Sequence, residues 1–156
     1  MWPLASWIND LYTIRYINGD TETALRRFKN EYQGYLDKEF LLAYYLITEV
    51  LLMADSRVKN MMIATWGKEN RYELSDGTIV ADKPSGTDYK VIRNYIWYPL
   101  FYDMDTMLGL DNIGYVNKNY FDEDTVEDVY NGDEILWKFV RDALKNELTL
   151  EYNKYE

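Results

Sequence analysis

Residues 40–54, FLLAYYLITEVLLMA, form the longest apolar run in the chain, interrupted only by Thr48 and Glu49. A membrane span needs roughly 20 apolar residues, so this run predicts a buried helix rather than a membrane segment. Asp37 stands where an N-cap belongs, and the helix is predicted from there through Ala54. Because it is apolar nearly all round, it should be the central element, covered on several sides.

The rest of the chain is organised around it. Leu4, Trp7, Ile8, Leu11, Ile14 and Ile17 repeat at helical spacing, and Pro3 suits a first turn, which predicts a helix over 3–17. Asn18-Gly19-Asp20 closes it as a turn. A second helix is expected from Thr21 to Tyr35, with Leu25, Phe28, Tyr32 and Tyr35 on one stripe. Beyond Asn60 the pattern turns strand-like. Met61–Trp66 reads as a short strand, and 71–83 as a hairpin turning at Ser75-Asp76-Gly77. Residues 84–90 read as a polar loop. Residues 94–105, NYIWYPLFYDMD, read as an aromatic strand that Pro99 confines to an edge or a bulge. A last helix is expected over 134–148, with Ile135, Leu136, Phe139, Val140, Ala143 and Leu144 inward. The fold class is α+β, helix-dominated, with a small antiparallel hairpin or sheet. At 156 residues the chain is read as a single domain.

Composition narrows the chemistry. The net charge of −10 argues against binding nucleic acid or an anionic membrane, because phosphate surfaces need Lys and Arg. Cysteine and histidine are both absent. That removes zinc clusters, thiol nucleophiles and every Ser-His triad, leaving Asp, Glu, Lys or Tyr for proton transfer. Any metal would be a hard cation on oxygen ligands, Mg or Mn. No signal peptide is expected, since Met1-Trp2-Pro3 has no charged segment ahead of an apolar stretch. A cytoplasmic or virion-associated location fits. The 16 tyrosines are read as core and interface packing.

Two acidic stations stand out by context. Asp55 follows the buried helix and Asn60 precedes a strand. Asp103 and Asp105 follow another strand. As bare spacings, Asp-x4-Asn and Asp-x-Asp arise by chance in a chain this rich in Asp and Asn. Their places at the ends of rigid elements give them weight. Phosphoryl transfer uses such a set: one Asp orients the attacking hydroxyl, an Asn binds metal, and a second Asp completes the metal site. The alternative is that Asp55 and Asn60 form an ordinary turn or cap and that Asp103 and Asp105 begin a loop.

The segment YLDKEFLLAYYLITEVLLMADSRVKNMMIATW, followed by WYPLFYDMDTMLGL, resembles the spore coat protein H (CotH) family of atypical kinase-like proteins. The shared marks are Asp37 at the helix cap, Asp55 and Lys59-Asn60 in the loop, Asp103-Met104-Asp105, and Gly109. PLASWIND at the start is similar to the segment that precedes this region in such proteins. The resemblance covers roughly residues 3–110, and more weakly 134–148. It implies a kinase-like carboxyl-terminal lobe: a helical core over 3–54, an acidic-site and hairpin region over 55–110, and a closing helix. Carried over by position, Asp55 takes the catalytic-base place. Asn60 with Asp103 or Asp105 would bind Mg, with ATP as the co-substrate. Arg57 and Lys59 are the candidates to contact phosphate, solvent-facing loop charges being the alternative.

This chain departs from the kinase pattern at two points. Met-Ala-Asp stands where typical kinases have His-Arg-Asp, and no Gly-rich loop or strand lysine with a paired glutamate precedes the helices. The nucleotide lobe is therefore expected on another chain or elsewhere in a longer polypeptide or assembly, or the module is not catalytic. ADSRVKNMMIATW and WYPLFYDMDTMLGLDNIG also resemble segments of large structural proteins of tailed bacteriophages, where a CotH-like module occurs in virion components of the tail or neck. The expectation is a non-catalytic structural or interaction module with a protein partner. The alternative is the catalytic lobe of an atypical Mg-ATP-dependent kinase.

Overall fold

The computed structural model describes residues 3–58, 60–103, 107–108 and 133–155. It is a mixed α+β fold in which helices dominate, with two small antiparallel sheets. Helix α1 spans Pro3–Tyr12, and its last turn loosens into a π-helical segment, Thr13–Ile17. The wider turn carries Ile17 off the apolar stripe, leaving it exposed instead of inward. Helix α2 spans Thr21–Glu31, opened by Asp20, whose carboxylate accepts the Thr23 N–H at 3.0 Å, and it ends in a 3₁₀ turn, Tyr32–Gly34.

Helix α3 spans Lys38–Val50. Asp37 caps it as expected, accepting the Phe40 N–H at 2.9 Å. It stops four residues short of Ala54. The Met53 N–H reaches back to the Thr48 carbonyl at 2.8 Å and the Leu52 N–H to the Glu49 carbonyl at 3.2 Å. That pair of bonds is a Schellman closure, and Leu52, at φ 46°, occupies the left-handed position usually given to glycine. Leu41, Leu42, Tyr44, Tyr45 and Thr48 of α3 are buried. Phe40, Ile47 and Val50 are exposed, so the helix is central on one broad face rather than wrapped on several sides.

Aromatic rings fill much of the core. Trp7 stacks between Phe28 at 5.3 Å and Tyr35 at 4.6 Å, and Phe28 continues onto Phe139 at 5.3 Å. A second stack runs from Phe101 through Tyr44 to Trp137, with centroids 4.5 and 5.0 Å apart. Each such pair is worth about 0.5–1.5 kcal/mol beyond its area. The expected single closing helix is two, α4 (Ile135–Ala143) and α5 (Lys145–Tyr152), broken at Leu144, whose φ and ψ of −111° and 23° are not helical. The break leaves Leu144 and Leu148 buried, while Trp137, fully buried, was not among the inward residues read from the pattern.

Strands β1 (Met61–Ala64) and β5 (Tyr98–Phe101) pair antiparallel. Between them in the chain lies the second sheet, β2 (Lys68–Leu74), β3 (Ile79–Val80) and β4 (Tyr89–Tyr95), in the order β3-β2-β4. The hairpin turn at 75–77 stands where it was expected, with Gly77 at φ 85° and the Thr78 N–H donating to Asp76 Oδ1. The longer pairing, however, is β2 with β4, from Lys68↔Tyr95 to Leu74↔Tyr89, so β4 begins inside the segment expected as loop.

The expected aromatic strand over 94–105 is likewise divided. Trp97 leaves the sheet, donates its N–H to the Tyr35 carbonyl at 2.8 Å and accepts the Asp37 N–H at 3.1 Å. Those bonds carry the chain from one sheet to the other. The three-stranded sheet is held on the α2–α3 junction by Arg71, whose Nε donates to the Gln33 carbonyl at 2.8 Å, and by Asn94, whose Nδ2 donates to the Gly34 carbonyl at 3.0 Å. Among the described residues, no helix is long and apolar enough to cross a membrane.

Candidate functional site

The loop between α3 and β1 is built by backbone closure. After the Schellman turn a 3₁₀ segment, Ala54–Arg57, begins. The Asp55 carbonyl then accepts two amides, from Val58 at 3.1 Å and from Asn60 at 2.9 Å. The Asp-x4-Asn spacing is thus a closed turn that brings Asn60 back beside Asp55 before β1 starts. Tyr44 in α3 fastens the same loop, its hydroxyl donating to the Ser56 carbonyl at 2.6 Å.

Strand pairing supplies the other half. Met61 lies opposite Phe101, so the residues flanking the ladder, Asn60 and Asp103, come together at its end. The Asn60 Nδ2 donates to the Asp103 carbonyl at 3.4 Å, a long bond. Asp103 sits at φ 53°, a conformation that Asp adopts more readily than most residues. Asp55, Asn60 and Asp103 are therefore held in one region by two separate stretches of chain. Lys59 and Asp105, also candidates, lie outside the described residues, as does Gly109. Among the described residues, no group of three His, Cys, Asp or Glu side chains is placed to hold a metal ion. The candidate donors are nonetheless all oxygen: the Asn60 amide has its nitrogen on the Asp103 backbone carbonyl, which leaves its Oδ1, and Asp55 and Asp103 each bring a carboxylate. Such donors suit Mg.

Arg57 occupies neither of its expected places. It is 1% exposed. Its Nη1 donates to Glu49 Oε2 at 2.7 Å, and its guanidinium lies over the Tyr45 ring at 4.8 Å. Nε approaches Asp133 Oδ1 at 3.0 Å as an ion pair rather than an aligned hydrogen bond. Burial explains the difference: a guanidinium removed from water must be met by carboxylates, and Glu49 and Asp133 meet it. Arg141 faces the other Asp133 oxygen at 3.7 Å. Burial pushes the Asp133 carboxyl up to about 6, against the opposing pull of Arg57 and Arg141. Glu49, Tyr44, Tyr45 and Asp133 thus set the loop's shape, and none was singled out from the sequence. The one available signal was Asp133 immediately ahead of an amphipathic helix.

Beside the loop lies an apolar face. An open groove of about 730 Å³ runs between α1, β1 and α4, lined in part by Leu4, Ile8, Tyr12, Met61, Ile63 and Ile135. Trp66 stands beyond β1 at 79% exposure, and Met62 and Tyr95 are also exposed. Comparison with protein-family models, curated proteins and solved structures gives no match.

Proposed function

We propose that the chain is a non-catalytic interaction module with a CotH-like, kinase-type carboxyl-terminal-lobe architecture, serving as a structural component of a larger assembly such as a bacteriophage tail or neck. The observation that carries this reading is the apolar face next to the acidic loop. Contiguous apolar surface rimmed by polar residues marks a place where another chain packs. The burial of Arg57 points the same way, because the loop cation nearest Asp55 is committed to Glu49 and Asp133 instead of being presented to a phosphate.

Thermal unfolding of the purified chain in the presence of Mg-ATP tests it. A ligand that binds only the folded state raises the midpoint. The expected outcome is a flat response, identical in wild type and in Asp103→Asn. A midpoint that rises with Mg-ATP in wild type and not in Asp103→Asn overturns the proposal.

One observation favours a second reading, the catalytic lobe of an atypical Mg-ATP-dependent kinase: Asn60 and Asp103 meet at 3.4 Å. Under that reading Asn60 and Asp103 hold the metal and Asp55 orients the acceptor hydroxyl. The metal would supply charge neutralisation at the transferring phosphoryl group.

A further inference from the structure

The outer edge of β1 has the features of a strand acceptor. Ile63 lies opposite Pro99. Proline has no N–H, so this pair cannot exchange the two bonds of a hydrogen-bonded position. By alternation, Met61 opposite Phe101 is also at a non-hydrogen-bonded position. The backbone N–H and C=O groups of Met61 and Ile63 therefore point away from β5, toward the outside of the sheet. Among the described residues no other strand pairs there. The edge, Met61-Met62-Ile63-Ala64, carries no charge and no proline, the usual protections of an open edge. Met62 is 52% and Ile63 38% exposed. The side chains of Met61 and Ile63 also line the apolar groove, so the face that an added strand would extend is already apolar.

We infer that this edge takes an extended segment of another polypeptide as an added strand, with apolar residues at alternate positions and Lys or Arg between them. The inference deepens the interaction-module reading and rests on it. Two arguments choose this occupant over a second copy. Each copy carries a net charge of −10, so self-pairing brings like charges together, while a basic segment is attracted. The open edge offers only the four residues Met61–Ala64, short of the roughly 20–30 residues per side of a stable protein pair. A short strand needs less, because backbone hydrogen bonds provide part of its affinity.

Selection of a random dodecamer peptide library on the full chain tests this, followed by titration of synthetic selected peptides with Trp66 emission as the readout. The expected peptides alternate apolar and basic residues and shift the emission saturably, and the shift is absent in Trp66→Phe. Methylation of every second peptide amide nitrogen weakens binding at least tenfold. Ile63→Pro does the same while leaving the β1–β5 ladder, since its lost N–H faces outward; the methylated peptides give the same information on unaltered protein. The inference is overturned if no peptide is enriched, or if binding survives amide methylation. A wild-type chain that sediments as a dimer, and as a monomer after Ile63→Pro, also overturns it and assigns the edge to a second copy. The Mg-ATP measurement bears on the interaction reading alone, so either can fail without the other.

Discussion

Replacing Arg57 by Met keeps the apolar volume of the side chain and removes its charge. Two carboxylates then lose one of their partners: Asp133, with its side chain 1% exposed and left with the longer contact to Arg141, and Glu49, at 27%. Breaking a buried pair in this way costs about 3–5 kcal/mol, because the remaining charge stays buried. The cost should depend on pH. In the wild type the Asp133 carboxyl titrates at about 6 rather than 3.8, so ionising it in the folded state already costs roughly 3 kcal/mol. A folded value above the unfolded one means that the protonated form favours folding. That contribution is complete below the unfolded value and is lost as pH rises through the folded one. Without Arg57 the folded value moves higher still, and the loss continues past 6. The gap between wild type and Arg57→Met should therefore be near 2 kcal/mol at about pH 5, from the lost ring contact and the partly exposed Glu49 pair, and near 4 kcal/mol at about pH 8. Urea unfolding followed by tryptophan fluorescence at both pH values measures it. Adding Asp133→Asn to Arg57→Met should recover most of the loss at the higher pH. A gap that is the same at both pH values, or a double variant no more stable than Arg57→Met, would refute the assignment of a coupled buried pair.

Three further substitutions test the framework around the loop. Asp37→Ala removes the carboxylate that caps α3 and should lower the urea-unfolding free energy by about 1 kcal/mol, whereas Asp37→Asn should cost less. Leu52→Gly relieves the left-handed backbone strain, about 1 kcal/mol, but forfeits the burial of a side chain only 6% exposed; a net loss of about 1–3 kcal/mol is expected in the same assay, and a gain would mean that the side chain packs poorly. Gly34→Ala places a Cβ 2.8 Å from Ile79 Cδ1, the flexible end of that side chain, so a drop in melting temperature of a few degrees is expected, reversed by Ile79→Val.

Local signals were legible in the sequence. Asp37 before an apolar run and Ser75-Asp76-Gly77 between strand-like segments each act through neighbours a few residues away, and each stands where it was read. What escaped was set at long range. Trp97 changes sheets because its backbone bonds to Tyr35 and Asp37, some 60 residues earlier, and nothing local distinguishes it from a mid-strand aromatic. The start of β4, Tyr89 and Lys90, fell in the segment read as polar loop, and its end, Asn94 and Tyr95, in the segment read as strand, because its exposed residues hide the alternation; its partner β2 supplies the pairing. Arg57 looked like any loop cation until Asp133 arrived from the far end of the chain. The acidic residues of the loop were legible as candidates, while the carboxylates and rings that shape it were not, since burial of a charge is a property of the packed whole.

The β2–β4 sheet enters and leaves the fold at one point, since Lys68 and Tyr95 face each other across the ladder. Topologically it is a cassette spliced into the β1–β5 hairpin, its two ends one strand spacing apart, about 5 Å. Residues 68–95 could be exchanged for another small unit with neighbouring termini, and the acidic loop on the far side of β1 would keep its footing on α3 and on Asp133. Diversification at this splice point would let such a scaffold change what it displays without rebuilding its base.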